Sequence, residues 1–199
     1  AVPEKQEKII KLVTGMKELG FHTVIEAALG ADMVAMDESK ELAEKGFLTS
    51  SCCPAFVQYI RSAFPDLLEL VSHNPSPMVV LAKYIKKNDP DAKVVFIGPC
   101  TAKKAEAQLE DVKPYVDVVL TFEELQALYD SRDMDIKELE ESELDNASYF
   151  GRIFARSGGL SEAVAQAMKE QDIDFDLKAI RCDGIEECKL ALLKKRKNV

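Results

Sequence analysis

The stretch Ala92-Lys-Val-Val-Phe-Ile-Gly98 constrains the fold more than any other part of this chain. It is apolar on both alternations and too short for a core helix. Turn formers bound it, Asn88-Asp-Pro-Asp91 before and Pro99 after. A run of that kind reads as a strand buried on both faces, as in a parallel sheet. Around it the periodicity alternates. Helical spacing is expected over residues 5–19, with Gly20 as a cap, then a strand over 21–27, a helix over 30–45 closed by Gly46, and a short extended stretch over 46–49. Helices follow over 54–64, with Pro54 in the first turn, and over 75–87. After the central strand come a helix at 103–109, a strand at 116–121 and a helix at 122–131. Residues 134–149 read as a short helix and an exposed acidic loop. A helix from Gly158-Gly159 to Met168, a strand over 177–182 and a final helix over 185–195 complete the pattern.

Strands alternating with helices imply an α/β fold with parallel sheets and right-handed crossovers. Two lobes flanking a cleft are expected, with a boundary near Pro90. Residues 1–90 form the first segment and 91–199 the second. In such folds ligands gather at the carboxyl ends of strands. Two of those ends deliver cysteine here, at Thr49–Cys53 and at Gly98–Cys100.

Composition narrows the function. The 199 residues carry 35 acidic against 26 basic side chains, a formal charge of −9, which argues against a nucleic-acid surface. The basic tail Lys194-Lys195-Arg196-Lys197 reads as a solvated helix end. No apolar run approaches the ~20 residues needed to span a bilayer, so no membrane partner is expected. The first eleven residues lack the apolar core of a signal peptide. The start at Ala-Val-Pro, without Met, is expected of a trimmed piece of a longer protein. Five cysteines, one adjacent pair among them, make a poor disulfide framework. Free thiols or metal ligands in a reducing, cytoplasmic compartment fit better.

The adjacent pair Cys52-Cys53 can hardly bind one ion with both thiols, because neighbouring side chains diverge. A thiol ahead of a helix has its thiolate favoured by the helix dipole. Two small buried hydrophobes, or a strained vicinal disulfide, read equally well from the pair alone. Cys100 sits at a strand end with Lys103 one turn on, placed to bring a cation beside an anionic ligand. A core thiol and a solvated helix face, including Glu106, are the plain alternatives.

Taken together, Ser50-Ser51-Cys52-Cys53-Pro54-Ala55-Phe56 and Pro99-Cys100-Thr101-Ala102-Lys103-Lys104-Ala105-Glu106 resemble the two leading signatures of the iron-only (FeFe) hydrogenase catalytic domain. Those signatures have the forms Thr-Ser-Cys-Cys-Pro-x-Trp and Pro-Cys-x-x-Lys-x-x-Glu. The resemblance continues through Gly30-Ala-Asp-Met-Val-Ala-Met-Asp-Glu38, through Ser72–Pro77 and through Gly151-Arg-Ile-Phe-Ala-Arg-Ser-Gly-Gly159, so it spans nearly the whole chain. It implies reversible reduction of protons to H2 in the parent, at an H-cluster made of a 4Fe–4S cluster and a diiron unit with CO and CN ligands. Cys53 and Cys100 would be ligands of the 4Fe–4S part, where thiolate is the expected donor. Cys52 would be the proton-relay thiol, continued by Glu38, Ser72 and Glu41. Glu38 and Glu41, three apart, share a helix face, and a hydroxyl can link two carboxylates. Ser76 and Lys103 would hydrogen-bond the cyanide ligands, with Pro77 and Phe154 in the pocket wall. The implied partner is an electron carrier such as ferredoxin or a linked iron–sulfur domain. Gly158-Gly159 reads either as tight backbone packing or as a simple turn. Cys182 and Cys188 have no role in the resemblance and read as bystanders.

The family's third signature, Met-x-Cys-x-x-x-Cys, has no counterpart here, nor do the leading strand and a ferredoxin-like cysteine cluster. Two thiolates fall short of the usual four, so the 199 residues alone are expected to be inactive and to lack a stable cluster. Gly98 and Phe56 stand where the family usually has Met and Trp, as in its sensory branch. Two alternatives to catalysis therefore accompany the first reading. One is an H2- or redox-sensing module of a signalling protein, the other a non-catalytic iron–sulfur assembly protein of the same superfamily.

Overall fold

The computed structural model describes residues 3–197. The chain divides into two units, and each is discontinuous in sequence. One comprises 1–26 and 88–146, the other 27–87 and 147–199. The chain thus crosses between units three times, where the sequence suggested one boundary near Pro90. The turn at Asn88–Asp91 is one of the three crossings. The others carry weaker turn signals, because the helices that begin at Ala27 and Tyr149 start almost directly at them.

The first unit holds the sheet. Strand β1 (Val95–Ile97) pairs in parallel with β2 (Val118–Leu120), Val95 opposite Val118 and Ile97 opposite Leu120. This is the α/β arrangement expected of the central run, and α5 (Ala102–Glu106) follows β1 directly. Helices α1 (Pro3–Glu18) and α6 (Phe122–Asp130) pack together through Val13, Met16, Leu125 and Tyr129. The Tyr129 hydroxyl donates to the Leu12 carbonyl at 3.1 Å. Burial pushes that phenol up to about 12, since a buried phenolate would lose its water. The start of α6 carries a full capping box, Thr121 accepting from the Glu124 N–H and Glu124 from the Thr121 N–H.

The second unit is built on α2 (Ala27–Lys45), which packs against α7 (Tyr149–Ile153) and α8 (Gly159–Glu170). Their core is Ala31, Val34, Ala35, Phe154, Ala163, Val164, Ala167 and Met168, with Cys52 packed at its edge. A second core joins α3 (Pro54–Ala63) and the 3-10 segment Pro65–Leu70 to α9 (Ile185–Arg196), through Ile60, Phe64, Leu67 and Leu192. Helix α4 (Pro77–Asn88) starts hard against α2. A Cβ on Gly30 would lie 2.2 Å from the Pro77 carbonyl oxygen, so only glycine admits this backbone approach. Gly159 is held as tightly, its missing Cβ 1.8 Å from the Ile153 carbonyl oxygen, while Gly158 takes a left-handed φ of 80°. Both readings of the glycine pair are therefore true, one for each residue.

Two expected strands do not form. Residues 21–26 run without ladder pairing, Phe21 bonding back to Met16 while its ring and Val24 pack on the α1–α6 core. Residues 177–182 are likewise irregular, because among the described residues no neighbouring strand offers a ladder and Ile180 is exposed. The stretch at 46–49 shrinks to one parallel bridge, Thr49 with Val71. Helix α7, absent from the sequence reading, is a single turn capped by the Ser148 hydroxyl. Among the described residues no helix is long and apolar enough to cross a membrane.

Candidate functional site

The bridge at Thr49 positions the chemistry of the second unit. Thr49 accepts from the Ser72 N–H at 2.7 Å and donates its own N–H to Leu70 at 2.8 Å. Ser72 is thereby fixed beside the segment leading into Cys52. Two turns of α2 present Glu38 and Glu41 to the same place. The Ser72 hydroxyl donates to Glu41 Oε2 at 2.8 Å and lies near enough to Glu38 to bear on its affinity for a proton. Ser50 donates to Glu38 Oε1 at 2.7 Å and accepts the Cys52 N–H at 3.3 Å. The sequence reading gave Ser50 no role, yet its hydroxyl connects the cysteine segment to the inner carboxyl.

The two carboxyls differ in environment. Glu38 is 2% exposed. Burial raises its affinity for a proton and the nearby Glu41 charge adds to this, against hydrogen bonds from Ser50, Ser72 and the Ser51 backbone that lower it; the net shift is upward. Burial also acts on Glu41, but hydrogen bonds from Lys45, Ser72 and the His73 N–H, with the Lys45 charge, carry it below the ordinary carboxylate range. Lys45 Nζ donates to Glu41 Oε1 at 2.7 Å, the Asn74 side-chain amide to Oε2 at 2.9 Å, and His73, 78% exposed, lies at 3.1 Å. The chain of polar groups thus runs from a buried acid to an exposed histidine. Lys45 was legible as an i,i+4 partner of Glu41; His73 and Asn74 carried no such signal.

Because the native Glu38 carboxyl binds its proton more tightly than the unfolded one, folding stability falls as pH rises through the native titration. Glu38→Gln keeps acceptors for Ser50 and Ser72 but cannot ionise. Its melting temperature relative to the parent sequence should rise as pH climbs above the ordinary carboxylate range, with the two converging in acid. A difference independent of pH would show that Glu38 titrates normally.

The two adjacent thiols diverge, as expected of neighbours. Cys52 is half-buried and packs against the core that contains Phe154. Cys53 is exposed and occupies the N-cap of α3 with no side-chain capping bond. Neither forms a disulfide. Ser76 stands directly before Pro77 at the start of α4, where a serine hydroxyl normally caps. Its Oγ is instead buried without a hydrogen-bond partner. Leaving such a group unsatisfied costs about 1–3 kcal/mol, so Ser76→Ala should stabilise the isolated chain by about 1 kcal/mol. Chemical denaturation checks this, and a loss of stability would mean that Ser76 is satisfied in solution.

In the first unit, Cys100 is half-buried at the end of β1, its carbonyl accepting the Lys103 N–H at 3.2 Å. Lys103 and Glu106 are both buried and paired at 2.7 Å. The solvated-face reading of these two is thereby excluded. A Cβ on Gly98 would come within 2.9 Å of the Phe96 ring, so Phe96 covers the place where the family's Met side chain would start. Among the described residues no three histidine, cysteine or carboxylate side chains group to hold a metal ion. The donors that are present suit the implied group in kind: two free thiols and, in Ser76, a buried hydroxyl with its proton uncommitted.

The whole chain, residues 1–199, matches the model of the iron only hydrogenase large subunit, C-terminal domain. The chain belongs to this family. Iron hydrogenase 1 of Clostridium pasteurianum is 32% identical over 95% of this chain and 38% of its own length. The cytosolic Fe-S cluster assembly factor NAR1 of Eremothecium gossypii is 31% identical over 59% of this chain and 27% of its own. Among solved structures, the [FeFe]-hydrogenase HydA(deltaEFG) matches with a TM-score of 0.68 and 29% identity, covering 81% of this chain and 46% of that one. The chain therefore spans less than half the length of each of these relatives.

Proposed function

We propose that the chain forms part of the H-cluster domain of an FeFe-hydrogenase, an oxidoreductase that interconverts protons and H2 in the full-length parent. The observation that carries this reading is the connected series Ser50, Glu38, Ser72 and Glu41, leading from the Cys52 segment to exposed His73. Cys53 and Cys100 would hold the 4Fe–4S cluster, and Ser76 and Lys103 would donate to cyanide ligands within a wall containing Pro77 and Phe154. When bound, the H-cluster supplies the electrons and the open metal position for the reaction.

The protein's own residues move the proton. Cys52 exchanges it with the site. Glu38, whose affinity for a proton is raised by burial, would pass it to the Ser72 hydroxyl, which donates in turn to the Glu41 carboxylate. Lys45 keeps Glu41 anionic and so ready to accept. An electron-carrier protein of the ferredoxin kind and a cytoplasmic setting complete the proposal. The kinship with an assembly factor gives a second reading, but a cluster carrier has no use for a buried acid linked to the surface. Anaerobic reconstitution of the longer parent, followed by iron and sulfide analysis and an H2 assay, tests the proposal. Cluster loading without hydrogen turnover or proton exchange would move the assignment to the carrier or sensor class.

A further inference from the structure

Ser72 lies near both carboxyls, and the bonds at its oxygen decide what it can do. A hydroxyl carries one hydrogen and two lone pairs. The hydrogen goes to Glu41 Oε2 at 2.8 Å. One neighbour takes both lone pairs. The Asn74 N–H and the Asn74 side-chain amide each donate to Ser72 Oγ, both at 3.1 Å. The same amide nitrogen has a second hydrogen, and it lies 2.9 Å from Glu41 Oε2. These acceptors fix the amide's orientation, since a flipped amide would turn its oxygen onto a carboxylate. The Asn74 carbonyl is held in turn by the Ser51 hydroxyl, next to Cys52. Ser72 is buried, so bulk water does not compete for these places.

We propose that Asn74 is a positioning residue that holds the Ser72 hydroxyl on Glu41 and keeps the path from Glu38 closed until its side-chain amide lets go. The proposal rests on the relay reading given above. With all three places at Ser72 Oγ engaged, the oxygen has no lone pair to accept a proton from Glu38. The Asn74 backbone N–H cannot withdraw without moving the chain, because the Ser72 N–H is bonded to Thr49 and the Asn74 carbonyl to Ser51. The side-chain amide can. It turns about its own bonds and keeps Glu41 as an acceptor.

Once the amide has moved, Ser72 Oγ takes the Glu38 proton while its own O–H bond breaks towards Glu41. One proton has then passed from carboxyl to carboxylate, the hydroxyl is whole again, and no electron has moved. The hydroxyl hydrogen now points back to Glu38. Return of the amide to Ser72 Oγ is compatible only with the hydrogen on the Glu41 side, so rebinding resets the hydroxyl for the next proton. Lys45 and the His73 N–H keep Glu41 anionic between passages.

The iron-free 199-residue chain tests the hold directly. With the serines labelled at carbon, the Cβ signal of Ser72 in an equal mixture of H2O and D2O shows two lines if the hydroxyl hydrogen exchanges slowly and one if it exchanges fast. Two lines are expected for the parent sequence. They should merge in Asn74→Ala, with exchange faster by about tenfold, the rate equivalent of one ordinary hydrogen bond. Protection of the Ser72 amide, bonded to Thr49, should be the same in both proteins. A single line in the parent sequence, or an unchanged exchange rate in Asn74→Ala, would overturn the assignment. So would loss of amide protection together with that of the hydroxyl, because the loop itself would then have loosened. In the loaded, longer parent, Asn74→Ala should raise hydrogen turnover and Ser72→Ala should lower it. Turnover unchanged or lowered by Asn74→Ala, where Ser72→Ala lowers it, would overturn the latch and keep the relay. Turnover indifferent to Ser72→Ala would instead remove the relay reading, and the iron-free result alone would then decide whether Asn74 holds Ser72.

Discussion

Cys52→Ala, made in the full-length parent, is expected to lower hydrogen turnover by ~10²–10⁴-fold, the usual loss when a positioned proton-transfer group is removed. Iron content should stay near that of the unsubstituted protein. The asymmetry between the two neighbouring thiols is the basis. Cys52 packs inward, at the edge of the α2–α8 core and next to the Ser50 hydroxyl that binds Glu38. Cys53 points to solvent at the head of α3, where a cluster ligand must be reachable. Removing the inward sulfur leaves only a small void, so folding should be nearly unaffected. The companion change Cys53→Ala should show the opposite pattern, with cluster lost and the proton chain intact. If Cys52→Ala strips the iron while Cys53→Ala retains it, the two roles are exchanged.

The largest stability effect is expected at Lys103. Replacing it by Met leaves the Glu106 carboxylate buried without its ion-pair partner, a situation that costs about 3–5 kcal/mol. The pair is formed at 2.7 Å with both side chains about nine-tenths buried. A domain with the usual 5–15 kcal/mol of stability would survive, with a markedly lower denaturation midpoint. The double change Lys103→Met with Glu106→Leu should recover most of the loss, because a matched apolar pair replaces a buried ion pair at little cost. Urea unfolding of the three proteins decides the matter. Equal midpoints for the single and double variants would show that the buried charge is not the source.

The reading of the fold succeeded where a segment carries its own partner. The parallel pairing of β1 with β2 followed from a run too short and too apolar for anything else, and the helix at 54–63 from Pro54 in its first turn. It failed at 21–27 and 177–182, where the local pattern suits a strand but forming one requires a neighbour. The adjacent β-branched pair Val24-Ile25 says nothing about whether that neighbour exists. At the candidate site, spacing showed that Glu38 and Glu41 share a face. It could not show that one is sealed from water while the other is tied to Lys45, since that depends on Ser72, 34 and 31 residues further along.

The contact between Gly30 and the Pro77 carbonyl bears on when the proton chain comes into being. With no side chain between the two backbones, α2 and the start of α4 meet as rigid bodies, and the loop carrying Ser72 is strung between them. The conformational entropy of aligning both acids with that hydroxyl is then lost once, during folding, rather than anew at each encounter with a cofactor. Loading needs only to fill a site whose surroundings are already in order, so affinity gained by the metal group is not spent on arranging the path that serves it.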